Sequence, residues 1–205
     1  MIAFDFRIML SIAFSLFLLM DPIGNIPLYL STLKEIKPKR QRSIIFRELI
    51  IALVIIILFN FVGNELLTFL HITKDTVQIS GGIILFLIAL KMIFPGQDDH
   101  TFEKKELTEP FIVPLAVPLI AGPSVLAAVI LYAHQQTSDL IMIPAIVLAW
   151  LASLIILLLS SYLNRILGWR GIVALERLMG LVLIMIALQM LLGGIHSFIE
   201  LQSYS

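Results

Sequence analysis

The 205-residue chain contains no cysteine. That absence removes disulfides, thiol catalysis and thiolate metal sites. Charge is scarce too: acidic and basic residues together make up 14% of the chain, fourteen of each sign, and the formal net charge is zero. Such a total says nothing about partners, and only the placement of charge along the chain is informative. The four histidines, His71, His100, His134 and His196, fall in loops or at helix ends without ligand-like spacing, and no metal site is expected from them. An aspartyl-dyad enzyme would need two acids embedded in apolar sequence. Asp5, Asp75, Asp98, Asp99 and Asp139 lie at ends or in loops, and Glu48 and Glu176 read as interfacial, so no enzymatic activity is expected.

Hydrocarbon takes the place of what is missing. Apolar residues make up 60% of the chain and its mean hydropathy is +1.03, outside the range of soluble domains. The chain reads as an all-α membrane protein. Six apolar stretches reach the length of about 20 residues that a helix needs to cross a bilayer: Arg7–Leu33, Ile44–Val62, Val77–Phe94, Phe111–Ala133, Ile141–Ser161 and Val173–Ile195. The first reads as a mature helix and not a cleaved leader, because Asp5 offsets Arg7 and Asp-Pro follows Met20 where small residues would stand. Of the connections, only 95–110, PGQDDHTFEKKELTEP, is long enough for an extended linker.

Lysine and arginine set the expected orientation. With the first connection cytoplasmic, that face receives Lys34, Lys37, Lys39, Arg40, Arg42, Arg47, Lys91, Lys104, Lys105, Arg165, Arg170 and Arg177, leaving Arg7 and Lys74 for the other. Both termini are therefore expected outside, in the periplasm of a two-membrane bacterium.

The third and sixth stretches repeat one another. GIILFLIALKMIFPG, from Gly82, lies over GLVLIMIALQMLLGG, from Gly180, matching Gly82 with Gly180, Ala89 with Ala187 and Met92 with Met190 at an offset of 98 residues. The first and fourth stretches share a different device. Pro22 and Pro27 enclose four residues, as do Pro118 and Pro123, at an offset of 96. The expected plan is thus two three-helix repeats, 1–96 and 110–205, joined by a cytoplasmic linker at 97–109. Three is odd, so the second repeat is inverted, and its paired proline-interrupted helices 1 and 4 break at the bilayer midplane, pointing to a binding site.

Proline inside a helix removes a donor and exposes carbonyls. Backbone left open at that depth must be buried in protein or line a cavity. A broken helix also presents a new start whose unpaired N–H groups favour a carboxylate. Asp21-Pro22 has the form of an N-cap with a first-turn proline, and Asn25 stands one turn further on. At the other break, Gly122, Pro123 and Ser124 combine close backbone approach with a hydroxyl. Asp21 either caps its helix or serves a substrate, a coupling cation or a proton, since an embedded carboxylate costs about 2.5–3.5 kcal/mol even on insertion scales. Lys91 reads as snorkelling. Arg47–Glu48 and Glu176–Arg177 read as interfacial pairs or an inner gate, and Asn60, Gln78 and Ser80 as interhelical hydrogen-bonding residues or path-lining ones.

MDPIGNIPLYL, SGGIILFLIALKMIFP, PFIVPLAVPLIAGPSVLA and LERLMGLVLIMIALQM together resemble the MarC family (UPF0056), which includes a small neutral amino acid transporter (SnatA-like) branch. The resemblance spans Ile8 to Ile195. It implies a bacterial inner-membrane protein, with relatives that move glycine, alanine or similar solutes. Carried over by matching position, the substrate-binding residues are Asp21, Pro22, Gly24, Asn25, Pro27, Gly122, Pro123 and Ser124. The expected function is secondary transport of a small neutral amino acid by alternating access, without a cofactor, leaving Na⁺ or H⁺ as the coupling ion. A passive small-solute channel, or a membrane protein without transport activity, is the alternative. The expected partners are the lipid bilayer and a small polar solute, with no nucleic acid.

Overall fold

The computed structural model describes residues 6–33, 36–94, 120–134 and 138–203. Their regular structure is helical: α1 (Phe6–Met20), α2 (Ile26–Thr32), α3 (Pro38–Phe69), α4 (Lys74–Ile93), α5 (Pro123–His134), α6 (Asp139–Leu158) and α7 (Ser160–Ser203). Four stretches are long and apolar enough to cross a membrane, Arg40–Phe69, Lys74–Ile93, Asp139–Leu158 and Ser160–Glu200, while Phe6–Met20 and Pro123–Ala133 are shorter apolar helices.

The starts of these helices follow from local chemistry. Pro38 occupies the first turn of α3, where a missing N–H costs nothing. Thr73 caps α4 by accepting from the Thr76 N–H at 3.4 Å, with Asp75 in the first turn. Ser138 caps α6 in the same way, accepting from Leu140 N–H at 3.3 Å, with Asp139 beside it.

Two boundaries differ from the sequence reading. The second span lengthens from Ile44–Val62 to the 32 residues of α3, about 48 Å against a hydrocarbon core of about 30 Å. Its ends, rich in Lys, Arg, Gln and Glu, are good helix formers that simply continue into the interface. The polar connection expected at 162–172 is helical as well. α7 runs from Ser160 through one break at Gly168, whose φ of 64° and ψ of 170° are outside the helical region. The eight residues before it, SSYLNRIL, carry exposed Tyr162, Ile166 and Leu167 beside Arg165. That mixture suits a short helix lying at the headgroups, and a reading based on apolar run length passes over it.

α4 and α7 form the most extensive contact and run antiparallel. Glycine makes the approach possible, since a Cβ at Gly82 would stand 3.1 Å from the Ala187 carbonyl and 3.0 Å from Leu191. A Cβ at Gly180 would stand 3.2 Å from the Ala89 carbonyl and 2.9 Å from Ile93. In lipid, where helices gain no hydrophobic drive to associate, such small-residue seams supply the packing. α1 packs on α6, α3 on both α5 and α6, α4 on α5, and α2 on α7. α6 is tied in by polar groups. The buried Trp150 Nε1–H donates to the Leu49 carbonyl at 2.7 Å, and Ser153 Oγ donates to Ala149 O at 2.9 Å while lying 3.5 Å from Met20 Sδ. Large apolar side chains such as Phe14, Val54, Leu87, Met185 and Leu192 face outward, as a lipid solvent permits and water disfavours.

Candidate functional site at the interrupted first helix

The break between α1 and α2 is built from five residues. α1 closes on Asp21, whose N–H bonds to Phe17 O at 3.2 Å and Leu18 O at 3.1 Å. Asp21 then turns left-handed, with φ 42°, a conformation aspartate tolerates better than most residues and one that stops a helix. Its Oδ1 accepts from the Gly24 N–H at 3.1 Å, and its carbonyl accepts from the Asn25 N–H at 3.1 Å. The Asn25 side chain reaches backward, Nδ2 donating to Met20 O at 3.1 Å and Asp21 O at 2.9 Å, two carbonyls that the end of α1 would otherwise leave open.

α2 starts with Ile26, and its N-cap is Asn25, with Pro27 in the first turn. The expectation that Asp21 and Pro22 begin the second half-helix is therefore corrected. Asp21 ends the first half, and its carboxylate caps the connecting turn. Much of the backbone expected to be open is used internally, because Ile26 N–H goes to Ile23 O and Pro27 has no donor. Asp21 Oδ2 receives no hydrogen bond among the described residues.

Asp21 is 7% exposed. Pro22 is buried, while Gly24, Asn25 and Pro27 are partly buried. Gly24 has to be glycine, because a Cβ there would collide with the Asp21 carboxylate and with Met92 Cε of α4. The break is thus pressed against the α4–α7 seam. Glu176, on α7, is close enough to act on the Asp21 carboxylate through space.

Of the expected second break, residues from Ile120 onward are described, and residues 111–119, with Pro118, lie outside the described residues. Gly122 O accepts from the Leu126 N–H at 3.0 Å, which makes Gly122 the residue before the first turn and Pro123 the first of α5. Gly122 and Ser124 are buried and Pro123 is exposed. α5 packs on α1, α3 and α4, with a Cβ at Gly81 standing 2.9 Å from Ala127 Cβ.

Residues 6–199 match the MarC family of integral membrane proteins. The chain belongs to that family. It is 50% identical over 192 residues to UPF0056 inner membrane protein YhgN of Escherichia coli K12, covering 93% of this chain and 98% of that protein. A UPF0056 membrane protein of Buchnera aphidicola subsp. Baizongia pistaciae is 48% identical over 197 residues, covering 92% and 96%. One from Chlamydia pneumoniae is 36% identical over 189 residues, covering 92% and 94%. No solved structure matches the chain.

Two polar residues of this MarC-family chain gain importance from the structure. Tyr29, on α2, is 1% exposed and its hydroxyl has no partner among the described residues. Glu48, on α3, is fully buried: Oε1 accepts from Arg47 Nη2 at 2.9 Å and Nε at 3.2 Å, Oε2 has no partner among the described residues, and its carboxylate acts on Tyr29 through space. The expected Arg47–Glu48 pair is present, but only its arginine, 50% exposed, is at a surface. Tyr29 was legible in principle, since it lies four residues from Asn25 and seven from Pro22 on one helical stripe. Asn60 bridges α3 and α6 through Asp139 Oδ1 at 3.4 Å, Ser80 bonds within its own helix to Val77 O, and Lys91 is exposed.

Proposed function

We propose that this MarC-family protein is a secondary transporter of small neutral amino acids such as glycine and alanine, alternating access between two inverted halves, 1–96 and 110–205. The observation that carries the reading is the reciprocal α4–α7 seam. Gly82 meets Ala187 and Leu191, and Gly180 meets Ala89 and Ile93. Each member of the first contact corresponds to a member of the second 98 residues away. The same pairing of halves would make the α4–α5 contact the counterpart of α7–α2 and α3–α6 its own counterpart, in keeping with the contacts present. Inverted repeats with interrupted helices at their interface are a common transporter plan.

The chemistry of the break favours a zwitterion. The buried Asp21 carboxylate, with Glu176 acting on it through space, attracts an ammonium. The buried start of α5 at Gly122 and Ser124 offers unpaired N–H groups and a hydroxyl to a carboxylate. A small substrate suits a break packed this closely against α4, where a Cβ at Gly24 itself would meet Asp21 and Met92. The proposed membrane is the bacterial inner one, in keeping with the name of the E. coli relative, and both termini lie in the periplasm with Na⁺ or H⁺ as the coupling ion.

Purified protein in proteoliposomes tests the proposal. Labelled glycine or alanine should enter saturably and be stimulated by unlabelled substrate on the far side. Linear flux without counterflow would instead indicate a channel. Folded protein that neither binds nor moves any member of a broad amino acid panel would overturn the reading.

A further inference from the structure

The outer face of α7, just beyond the Gly168 kink, carries a groove of about 540 Å³ walled by Trp169, Arg170, Val173, Arg177, Leu178 and Leu181. These positions recur at three- to four-residue steps, so they form one stripe. Trp169, Leu178 and Leu181 are each more than half exposed, so the stripe faces away from the protein core. Helical side chains lean toward the N-terminus of their helix, which carries both guanidiniums toward the kink, two turns or about 10 Å apart along the axis and each on a long flexible stem. The groove therefore has a cationic end beside the kink and an apolar end along Leu178 and Leu181. Among the described residues Arg170 is in no ion pair, and Arg177 acts only on its neighbour Glu176.

We propose that this groove holds an anionic phospholipid, its phosphate between Arg170 and Arg177 and an acyl chain along Leu178 and Leu181. Charge complementarity selects the occupant, because a neutral lipid leaves Arg170 unanswered and Arg177 with only its neighbour Glu176 at the interface, whereas a phosphate accepts from both. Trp169 sits at headgroup level, where its indole finds both an apolar bed and water. The proposal is independent of whether the protein transports amino acids.

Trp169 supplies the probe. Full-length protein is placed in phosphatidylcholine bilayers titrated with phosphatidylglycerol or with further phosphatidylcholine, either carrying brominated acyl chains that quench tryptophan on contact. The chain has one other tryptophan, the buried Trp150, and W169F defines its background. Brominated phosphatidylglycerol should quench Trp169 at a several-fold lower mole fraction than brominated phosphatidylcholine. The R170Q/R177Q variant should lose that preference while melting at the wild-type temperature in phosphatidylcholine. A still stronger response to brominated cardiolipin would support the site and identify a two-phosphate headgroup. Equal quenching by both lipids would overturn the proposal. So would quenching by neither, which would mean that protein covers the groove, either a second copy or residues 95–119.

Discussion

The side-chain amide of Asn25 lies 3.1 Å from the Met20 carbonyl, so the residue that opens α2 also closes α1. One amide thereby holds two half-helices at a fixed angle inside an apolar surround. The interruption is a built joint and not a frayed end.

Replacing Asn25 with Ala removes both backward bonds and leaves carbonyls of Met20 and Asp21 without donors. The expected loss is about 1–3 kcal/mol for a buried acceptor left open. In a chain of this size each kcal/mol corresponds to a fall of about 2–4 °C in melting temperature. Melting of purified N25A beside wild type checks this, and an unchanged Tm would mean that the amide does not hold the joint.

Asp21→Asn separates capping from charge. An amide oxygen still accepts from the Gly24 N–H at 3.1 Å, so the melt should be close to wild type, whereas D21A should cost about 0.5–2 kcal/mol as lost caps do. If the carboxylate couples transport to a cation, D21N should abolish driven accumulation in proteoliposomes and spare exchange. Undiminished accumulation would exclude Asp21 from coupling.

Gly82→Val and Gly180→Val probe the seam in mirror positions. Each forces a side chain onto a backbone carbonyl of the facing helix, and overpacking of this kind costs about 1–3 kcal/mol. Both variants should lose stability by amounts of this order, because each meets a carbonyl and an alkyl side chain of the facing helix. A large loss at one glycine and none at the other would contradict the two-fold relation between the halves.

Orientation is checked with reporters fused after Ser205. Alkaline phosphatase, active only outside the cytoplasm, should be active, and a fluorescent protein that matures only inside should be dark. The opposite pair of results would reverse the assignment built on the lysines and arginines.

The hydrophobic runs made the membrane class and the helices legible, because lipid demands apolar length and says little about order within it. The first Pro-x4-Pro frame located the interruption between α1 and α2 for the same reason, since few residues break a helix and proline is the clearest. What the chain did not disclose is how a break is closed. Asp21 reads as a start because Asp-Pro commonly is one, yet its left-handed φ and the backward amide of Asn25 are three-dimensional choices among several that the motif allows. Glu48 misled in a similar way: its neighbour Arg47 looks interfacial and is, but adjacent residues on a helix point about 100° apart, so one is at the surface and the other fully buried. The Gly168 kink escaped notice because its flanks, polar and aromatic by turns, have no single period.

Three polar ties reach α6 from other helices among the described residues, through Trp150 to Leu49, Asp139 to Asn60 and Ser153 to Met20. None joins α4 to α7. A cross-link tying α4 to α7 is expected to arrest turnover in the proteoliposome assay, as is one tying α3 to α6, since each joins the two proposed halves. The most extensive contact among the described residues is a track of glycine and alkyl groups, so sliding there would leave no polar bond to be undone.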